Sequence, residues 1–442
     1  MATVPKRELS LFDSTCIIVG IIVGAGIYET PTTVAGCMPG WAGVLGIWLV
    51  GGLLSLAGAL CYAELATAYP REGGDYVYLN RAYGGWAGYL FAWAQLAIVR
   101  PGDIALMAFI FASYAQTLYA PLANSRPVTA MAVVVVLTAI NVLGVRESKW
   151  TQNILTVIKA LGLLTILAVA LAAPAAQPSP AEPAPFTMGG LELALILVLF
   201  TFGGWNEMAY VAAEVKRPKR NIVRALVVGT IAVTALYMLV NGAFLHVLGH
   251  AGTAASQAVA RDTVAAVFPD VAGRAISVLV CISVLGAANG LIFTGARISY
   301  AIGADHAAFR RLGRWHPRFG TPVWALVVQG CLSVVIVLVA GSFLETILYT
   351  APVVWIFFLA TGLSVFVLRR KEPHTPRPYK ITGYPVTTIA FCACCVFMIY
   401  SAVSYALAHR PIGLLISCGA LLAGLVVYWL TNANASGRRR PD

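Results

Sequence analysis

The chain has 442 residues, of which 59% are hydrophobic and 11% charged, with a mean hydropathy of +0.81. A soluble domain carries about 25% charged residues, so this composition excludes one, and the long apolar runs point to an all-α integral membrane protein. The formal net charge of +12 would suit a nucleic-acid partner, but the placement of the charges, described below, assigns it to membrane topology instead.

Twelve transmembrane helices are expected, at 13–37, 41–67, 86–118, 128–144, 151–173, 189–213, 225–247, 272–301, 322–340, 344–368, 385–407 and 413–431. Met1–Leu11 is short and polar and lacks a small-residue cleavage site, so the first span is expected to be retained. That span contains GIIVGAGIYETP (Gly20–Pro31), which begins as mid-membrane helix and is interrupted by Gly24-Ala25-Gly26, with Glu29 three positions on. In span 3, Arg100 and Asp103 share one helical side, although Pro101 disturbs the geometry. A buried structural ion pair between them is expected; direct substrate contact is the alternative.

Lys159 stands about eight residues into span 5, roughly 12 Å at 1.5 Å per residue, too deep for a lysine to snorkel out easily. Burying an ammonium is costly, so a fixed cation bridging spans 1 and 5, or a proton carrier, stands beside the snorkelling reading. The Pro/Ala-rich stretch APAAQPSPAEPAPF (Ala173–Phe186) is expected to be an extended external linker. Span 6 then carries LVLFTFGGWNEMAYVAAEV (Leu197–Val215), with Gly203-Gly204 near its middle and an acid, Glu207, close behind. Glu207 has three roles open to it: favouring a polar substrate, pairing with Lys159, or capping an unwound segment. Glu64 and Arg297 are expected in a cytoplasmic network that closes an inner gate, with Arg71, Glu72 and Asp75 near it; ordinary interfacial charge is the alternative.

Glycine weakens a helix by about 1 kcal/mol relative to alanine, and backbone left unpaired in hydrocarbon costs several kcal/mol. Irregular backbone at this depth is therefore expected only where it is buried or lines a cavity. Spans 1 and 6 open two five-span halves, and an odd number of spans gives the halves opposite orientation. Interrupted spans at corresponding places in inverted repeats point to a central substrate site. Close helix packing through glycine is the competing explanation for each break taken alone.

With the N-terminus in the cytoplasm, cytoplasmic segments carry 23 Lys and Arg residues and external ones 4, the other three of the 30 lying inside spans. That asymmetry obeys the positive-inside rule and sets both termini in the cytoplasm of a plasma (inner) membrane. Nine cysteines lie in or at the end of apolar runs, without zinc-ligand spacing, so neither a disulfide framework nor a metal site is expected. No cofactor is expected, and no glycine-lysine phosphate loop for binding ATP is present.

Several stretches in fixed order, IIVGAGIYETPTTVAG, GALCYAELATAYPREGGDYVYLNRAYG, AIVRPGDIALMAF, FTFGGWNEMAYVAAEVKRPKRNIVRAL and Gly286-Ala287-Ala288-Asn289-Gly290, resemble the amino acid–polyamine–organocation transporters, and among them the L-type amino acid transporter branch and its bacterial relatives. The resemblance covers roughly residues 10–370. It implies a LeuT-type 5+5 inverted repeat with discontinuous spans 1 and 6: repeat 1 over 13–173, repeat 2 over 189–368, and two added spans over 385–431. Backbone N–H groups of Gly26 and Ile27, at the start of an outer half-helix, are then expected to meet a substrate carboxylate. Carbonyls of Ile22 and Val23, with those of Phe200 and Gly203, are expected to meet the ammonium. Gly24 and Gly26 let the ligand approach, and Ala25 stands where many L-type members have serine, so a hydroxyl contact is lost.

The resemblance further implies that Phe200 is an aromatic gate, with lipid-facing packing as its alternative. Asn206 matches a polar family position, for which a structural hydrogen bond between helices is equally open. Lys159 falls where related transporters hold sodium, and Gly286-Ala287-Ala288 offers no hydroxyl at the matching turn, so sodium independence is expected. Glu207 is acidic where the eukaryotic branch usually is not, and with Ile104 and Val23 it is a candidate for side-chain selectivity. The animal light chains use a cysteine between spans 3 and 4 to reach a glycoprotein heavy chain; YAPLANSRP has none, so that disulfide-linked partner is not expected.

The leading expectation is a sodium-independent transporter of neutral L-amino acids, by exchange or facilitated diffusion. Proton-coupled uptake, a cationic amino acid or polyamine exchanger, and a non-transporting amino acid sensor are the alternatives. A channel and an enzyme are disfavoured, since neither a charged ring nor a nucleophile–base constellation occurs.

Overall fold

In the computed structural model, residues 7–176, 186–339, 343–409 and 411–437 are described. Most of the expected linker, 177–185, lies outside them. Among the described residues regular structure is helical, apart from one parallel bridge between Leu9 and Val215. Among the described residues ten helices are long and apolar enough to cross a membrane, and up to eleven with the bent pair counted as one span.

Helix α1 (Leu11–Ile22) starts at a capping box: the Asp13 N–H donates to Ser10 Oγ at 3.2 Å, and the Ser10 N–H donates to the Asp13 carboxylate at 2.8 Å. The pairing fixes the helix entry at the protein surface. Helix α2 (Gly26–Cys37) continues it after a bend of 47°. Then follow α3 (Gly40–Ala68) and the short α4 (Asp75–Tyr83). Helix α5 (Gly85–Ala94) runs through a π turn, Gln95–Val99, into α6 (Arg100–Leu118). The π turn has a local cause. Pro101 lacks an N–H and its ring would strike the carbonyl four residues earlier; one wider turn relieves this, with the Arg100 N–H reaching back to the Gln95 carbonyl.

The chain continues with α7 (Arg126–Leu143), α8 (Val145–Ala172), α9 (Met188–Thr201), the long α10 (Pro218–Ala255), the short α11 (Val259–Ala265) and α12 (Pro269–Asp305). The last four are α13 (Val323–Val339), α14 (Phe343–Lys371), α15 (Val386–His409) and α16 (Pro411–Gly437). Helix α12 runs through the middle, with 83% of its most apolar window buried, against 11% for α16 at the rim. An apolar chain can bury some helices on all sides and leave others facing lipid, because neither environment asks for polar side chains.

The expected single network of Glu64 and Arg297 divides into two. Glu64 accepts from Arg369 at 2.5 Å and from the Ile381 N–H at 2.8 Å, so it joins α3 to α14 and the segment after it. Arg297, fully buried in α12, pairs instead with Glu214, with contacts of 2.7 and 3.2 Å, and donates to the Phe293 carbonyl at 2.8 Å. Sequence distance hid both partners. Removing one member of such a buried pair strands the other charge, which costs about 3–5 kcal/mol. Glu214→Ala is accordingly expected to lower the melting temperature of the purified protein sharply in detergent; an unchanged melting curve would mean that this pair does not hold the fold.

Candidate functional site

The two interrupted helices meet. Helix α1 stops at Ile22, and α2 restarts at Gly26 without a side-chain cap on its N-terminus. Helix α9 stops at Thr201, turns through Phe202–Gly204, and resumes as tight 3₁₀ turns over Trp205–Ala209. Gly204 has φ +114°, a left-handed conformation that a side chain disfavours, and a Cβ there would lie 2.6 Å from Ile21 Cγ2. The second break thus packs directly on the end of the first helix. Both open onto one cavity of about 200 Å³.

Gly24, Ala25 and Gly26 of the first break line that cavity, as do Phe200, Gly203 and Asn206 of the second. Ile22 and Glu207 line it as well, whereas Val23, Ile27, Ile104 and Lys159 are buried behind its walls. Several carbonyls expected to face an ammonium already accept bonds. The Val23 carbonyl takes Lys159 Nζ at 2.8 Å, Ile22 takes the Tyr237 hydroxyl at 2.9 Å and the Gly24 N–H at 2.8 Å, and Phe200 takes the Gly203 N–H at 2.9 Å. A carbonyl has two lone pairs, so both of Ile22's are engaged; of the expected set the Gly203 carbonyl, to which the described residues supply no donor, keeps its capacity for a ligand.

Lys159 does not snorkel. It is fully buried, and its Nζ donates to the carbonyls of Gly20 at 2.7 Å, Val23 at 2.8 Å and Ser283 at 2.7 Å. An ammonium has three donors, so all are satisfied. The cation joins α8 to the end of α1 and, beyond the expected bridge of spans 1 and 5, to α12. Gly286 makes room for it: a Cβ there would lie 2.8 Å from Nζ.

The expected ion pair between Arg100 and Asp103 is absent from the contacts of the described residues. Arg100 pairs instead with Glu207, Nη2 to Oε1 at 2.7 Å, and its Nε donates to Gln95 Oε1 at 3.0 Å. The other Glu207 oxygen accepts from the Thr294 hydroxyl at 2.5 Å. Glu207 therefore ties the second break to α6 and α12, and pairs with Arg100 rather than with Lys159. The π turn before Pro101 sets this rotation, which simple helical spacing does not include.

Asn206 makes its bond within its own segment, donating to the Tyr210 hydroxyl at 2.8 Å, which donates on to Asp75 at 2.7 Å. The Tyr62 and Thr361 hydroxyls also donate to Asp75. Burial pushes the Asp75 carboxyl up to about 6, opposed by these hydroxyls. Glu72, in the loop before α4, is pushed up to about 7 by burial, and its Oε1 is buried without a hydrogen-bond partner among the described residues. A chain of hydrogen bonds therefore runs from Asn206 at the cavity wall through Tyr210 to Asp75.

Several lining residues were not legible as such: Trp205, Tyr210, Trp355, Phe358 and Phe391. Aromatics in an apolar run look alike whether they face lipid, core or cavity. Only Trp205 and Tyr210 carried a signal, their closeness to the glycine pair.

A family model described as "Amino acid permease" matches residues 9–435. The b(0,+)-type amino acid transporter 1 of Oryctolagus cuniculus is 31% identical over 389 residues, covering 85% of this chain and 79% of that protein. The serine/threonine exchanger SteT of Bacillus subtilis is 28% identical over 430 residues, 96% of each chain. The large neutral amino acids transporter small subunit 2 of Mus musculus is 30% identical over 442 residues, 96% of this chain and 81% of that one.

Proposed function

The chain belongs to the amino acid permease family, within the amino acid–polyamine–organocation transporters, and on that premise we propose that it is a sodium-independent exchanger of neutral L-amino acids. The observation that carries the reading is the opening of both helix breaks, at Gly24–Gly26 and at Phe202–Gly204, onto one cavity. There the uncapped N-terminus of α2 offers N–H groups and a positive dipole end to a carboxylate. The carbonyls around the end of α1 and the second break offer acceptors to an ammonium. An α-amino acid presents both groups within a few ångströms, and Phe200 beside them is placed to close over it.

We read α1–α8 and α9–α14 as two inverted five-span repeats of a LeuT-type fold. In that reading α13, only 17 residues long, is a span at the lower end of the usual range, making twelve with α15 and α16. The positive-inside asymmetry places both termini in the cytoplasm. Exchange is supported by the name of the Bacillus subtilis relative, and neutral substrates by that of the mouse one. The mouse protein's name also makes it a subunit; this chain lacks a cysteine in Tyr119–Pro127 for a disulfide to a second chain. The cationic-substrate alternative rested on Glu207, whose charge is met by Arg100.

Proteoliposomes test the proposal. Uptake of labelled neutral amino acid is expected to require unlabelled amino acid inside, to be unchanged when choline replaces sodium, and to gain nothing from an imposed pH gradient. Uptake driven by sodium or by the gradient into empty vesicles would sink the exchange reading.

A further inference from the structure

We propose that Arg100 Nη1 and the Asp103 carboxylate form a subsite for the substrate side chain, one that selects amino acids bearing a carboxamide. The proposal rests on the reading of the chain as an exchanger of neutral amino acids and names the class within it. Both residues line the cavity that the two helix breaks share. Arg100 is 3% exposed, and its Nε and Nη2 are held by Gln95 and Glu207, so the guanidinium is fixed. Its Nη1 is buried and has no hydrogen-bond partner among the described residues. Leaving a buried donor unpaired costs about 1–3 kcal/mol, more for a charged group, so this atom stands ready for an acceptor on a ligand.

Asp103 lies one turn further along α6, on the same side, half-buried at the cavity wall. No described residue donates a hydrogen bond to it. Glu207 cannot serve in its place, since one oxygen is committed to Arg100 and the other to Thr294. The cavity thus presents a charged donor and a carboxyl group on a wall otherwise formed largely by apolar groups such as Val99, Leu106 and Met107.

A carboxamide answers both: its oxygen accepts from Nη1 and its amino group donates to Asp103. An aliphatic side chain leaves both unpaired. A cationic one satisfies Asp103 but opposes Arg100 and supplies no acceptor. A carboxylate satisfies Nη1 but is repelled by Asp103. Sites built to hydrogen-bond a substrate group discriminate strongly against analogues that lack it, because their own polar groups are then stranded.

Competition against labelled glutamine exchange in proteoliposomes of the full chain tests this. Glutamine or asparagine is expected to inhibit at concentrations at least about tenfold below those of leucine, lysine and glutamate, a factor worth about 1.4 kcal/mol. Asp103→Leu is expected to bring the glutamine and leucine values together. Leucine or lysine matching glutamine in the wild type would overturn the subsite, as would a glutamine preference that survives in Asp103→Leu. Thermal-shift titration of the wild-type protein with glutamine and with leucine gives the same ranking from binding alone. It decides the question if the variant does not fold, and if no amino acid is exchanged at all, a result that would refute the exchange reading and leave the subsite to be judged by binding.

Discussion

Lys159→Ala is expected to abolish amino acid exchange, with a loss of at least about a hundredfold, equivalent to ~2.7 kcal/mol. The reason lies in what the side chain holds. Its three donors are taken up by the carbonyls of Gly20, Val23 and Ser283, two of them at the end of α1 where the regular helix stops. Removing the ammonium strands the Gly20 and Val23 carbonyls away from water, at about 1–3 kcal/mol for each unsatisfied group, and frees the end of α1 from α8 and α12. The carbonyls of Ile22 and Val23 then lose their fixed positions, and with them the geometry that an ammonium group of the substrate would meet. The measurement is counterflow in proteoliposomes beside the melting temperature of the same preparation. Wild-type exchange is expected to be indifferent to sodium, because a protein cation already occupies this carbonyl cage. Undiminished exchange in Lys159→Ala would refute the anchoring role. A wild-type response to a pH gradient that disappears in the variant would make Lys159 a proton carrier instead.

The second large effect is expected at the first break, where two glycines can be told apart. Gly26→Val is expected to eliminate transport, but for two reasons at once. It crowds the N–H groups proposed to hold the carboxylate, and a Cβ at Gly26 would lie 2.7 Å from Thr201 Oγ1, where α2 meets α9. Overpacking of this kind costs about 1–3 kcal/mol by itself. Gly24→Ala separates the effects. A Cβ at Gly24 would meet the Ala287 Cβ at 3.7 Å, an ordinary contact, yet Gly24 lines the cavity. The variant is expected to fold and melt like the wild type while losing at least about tenfold in exchange, ~1.4 kcal/mol. Ala25→Ser, which adds a hydroxyl beside the proposed carboxylate site, is expected to preserve exchange. Full activity in Gly24→Ala would show that the ligand does not approach this backbone and would remove the basis of the proposed clamp.

How far each feature could be read from the chain follows from the range of the interaction behind it. Helix breaks are local: glycines at 24, 26, 203 and 204 weaken hydrogen bonding within a few residues, so their positions were visible in the sequence. The buried state of Lys159 was arguable from its depth in an apolar run, but not the third helix that it reaches through Ser283. Charge partners were harder still. Asp103 stands three residues from Arg100 and does not pair with it; Glu207 stands 107 residues away and does. A π turn at Gln95–Val99 and the docking of α12 decide that choice, and neither is encoded in residue spacing.

By itself the sequence determined that this protein is helical and membrane-embedded, where two of its helices are interrupted, and the family it resembles. Hydropathy, glycine placement and short motifs act through nearest neighbours and the surrounding lipid, and are therefore written along the chain. Only the tertiary structure decided that the two interruptions share a cavity, that Glu207 answers Arg100, that Glu214 answers Arg297, and that Lys159 fastens three helices. Inside a membrane every polar group must find its partner within the protein. Which partner it finds depends on how helices distant in sequence rotate and pack, and packing of apolar surfaces against one another leaves little trace in the order of the residues.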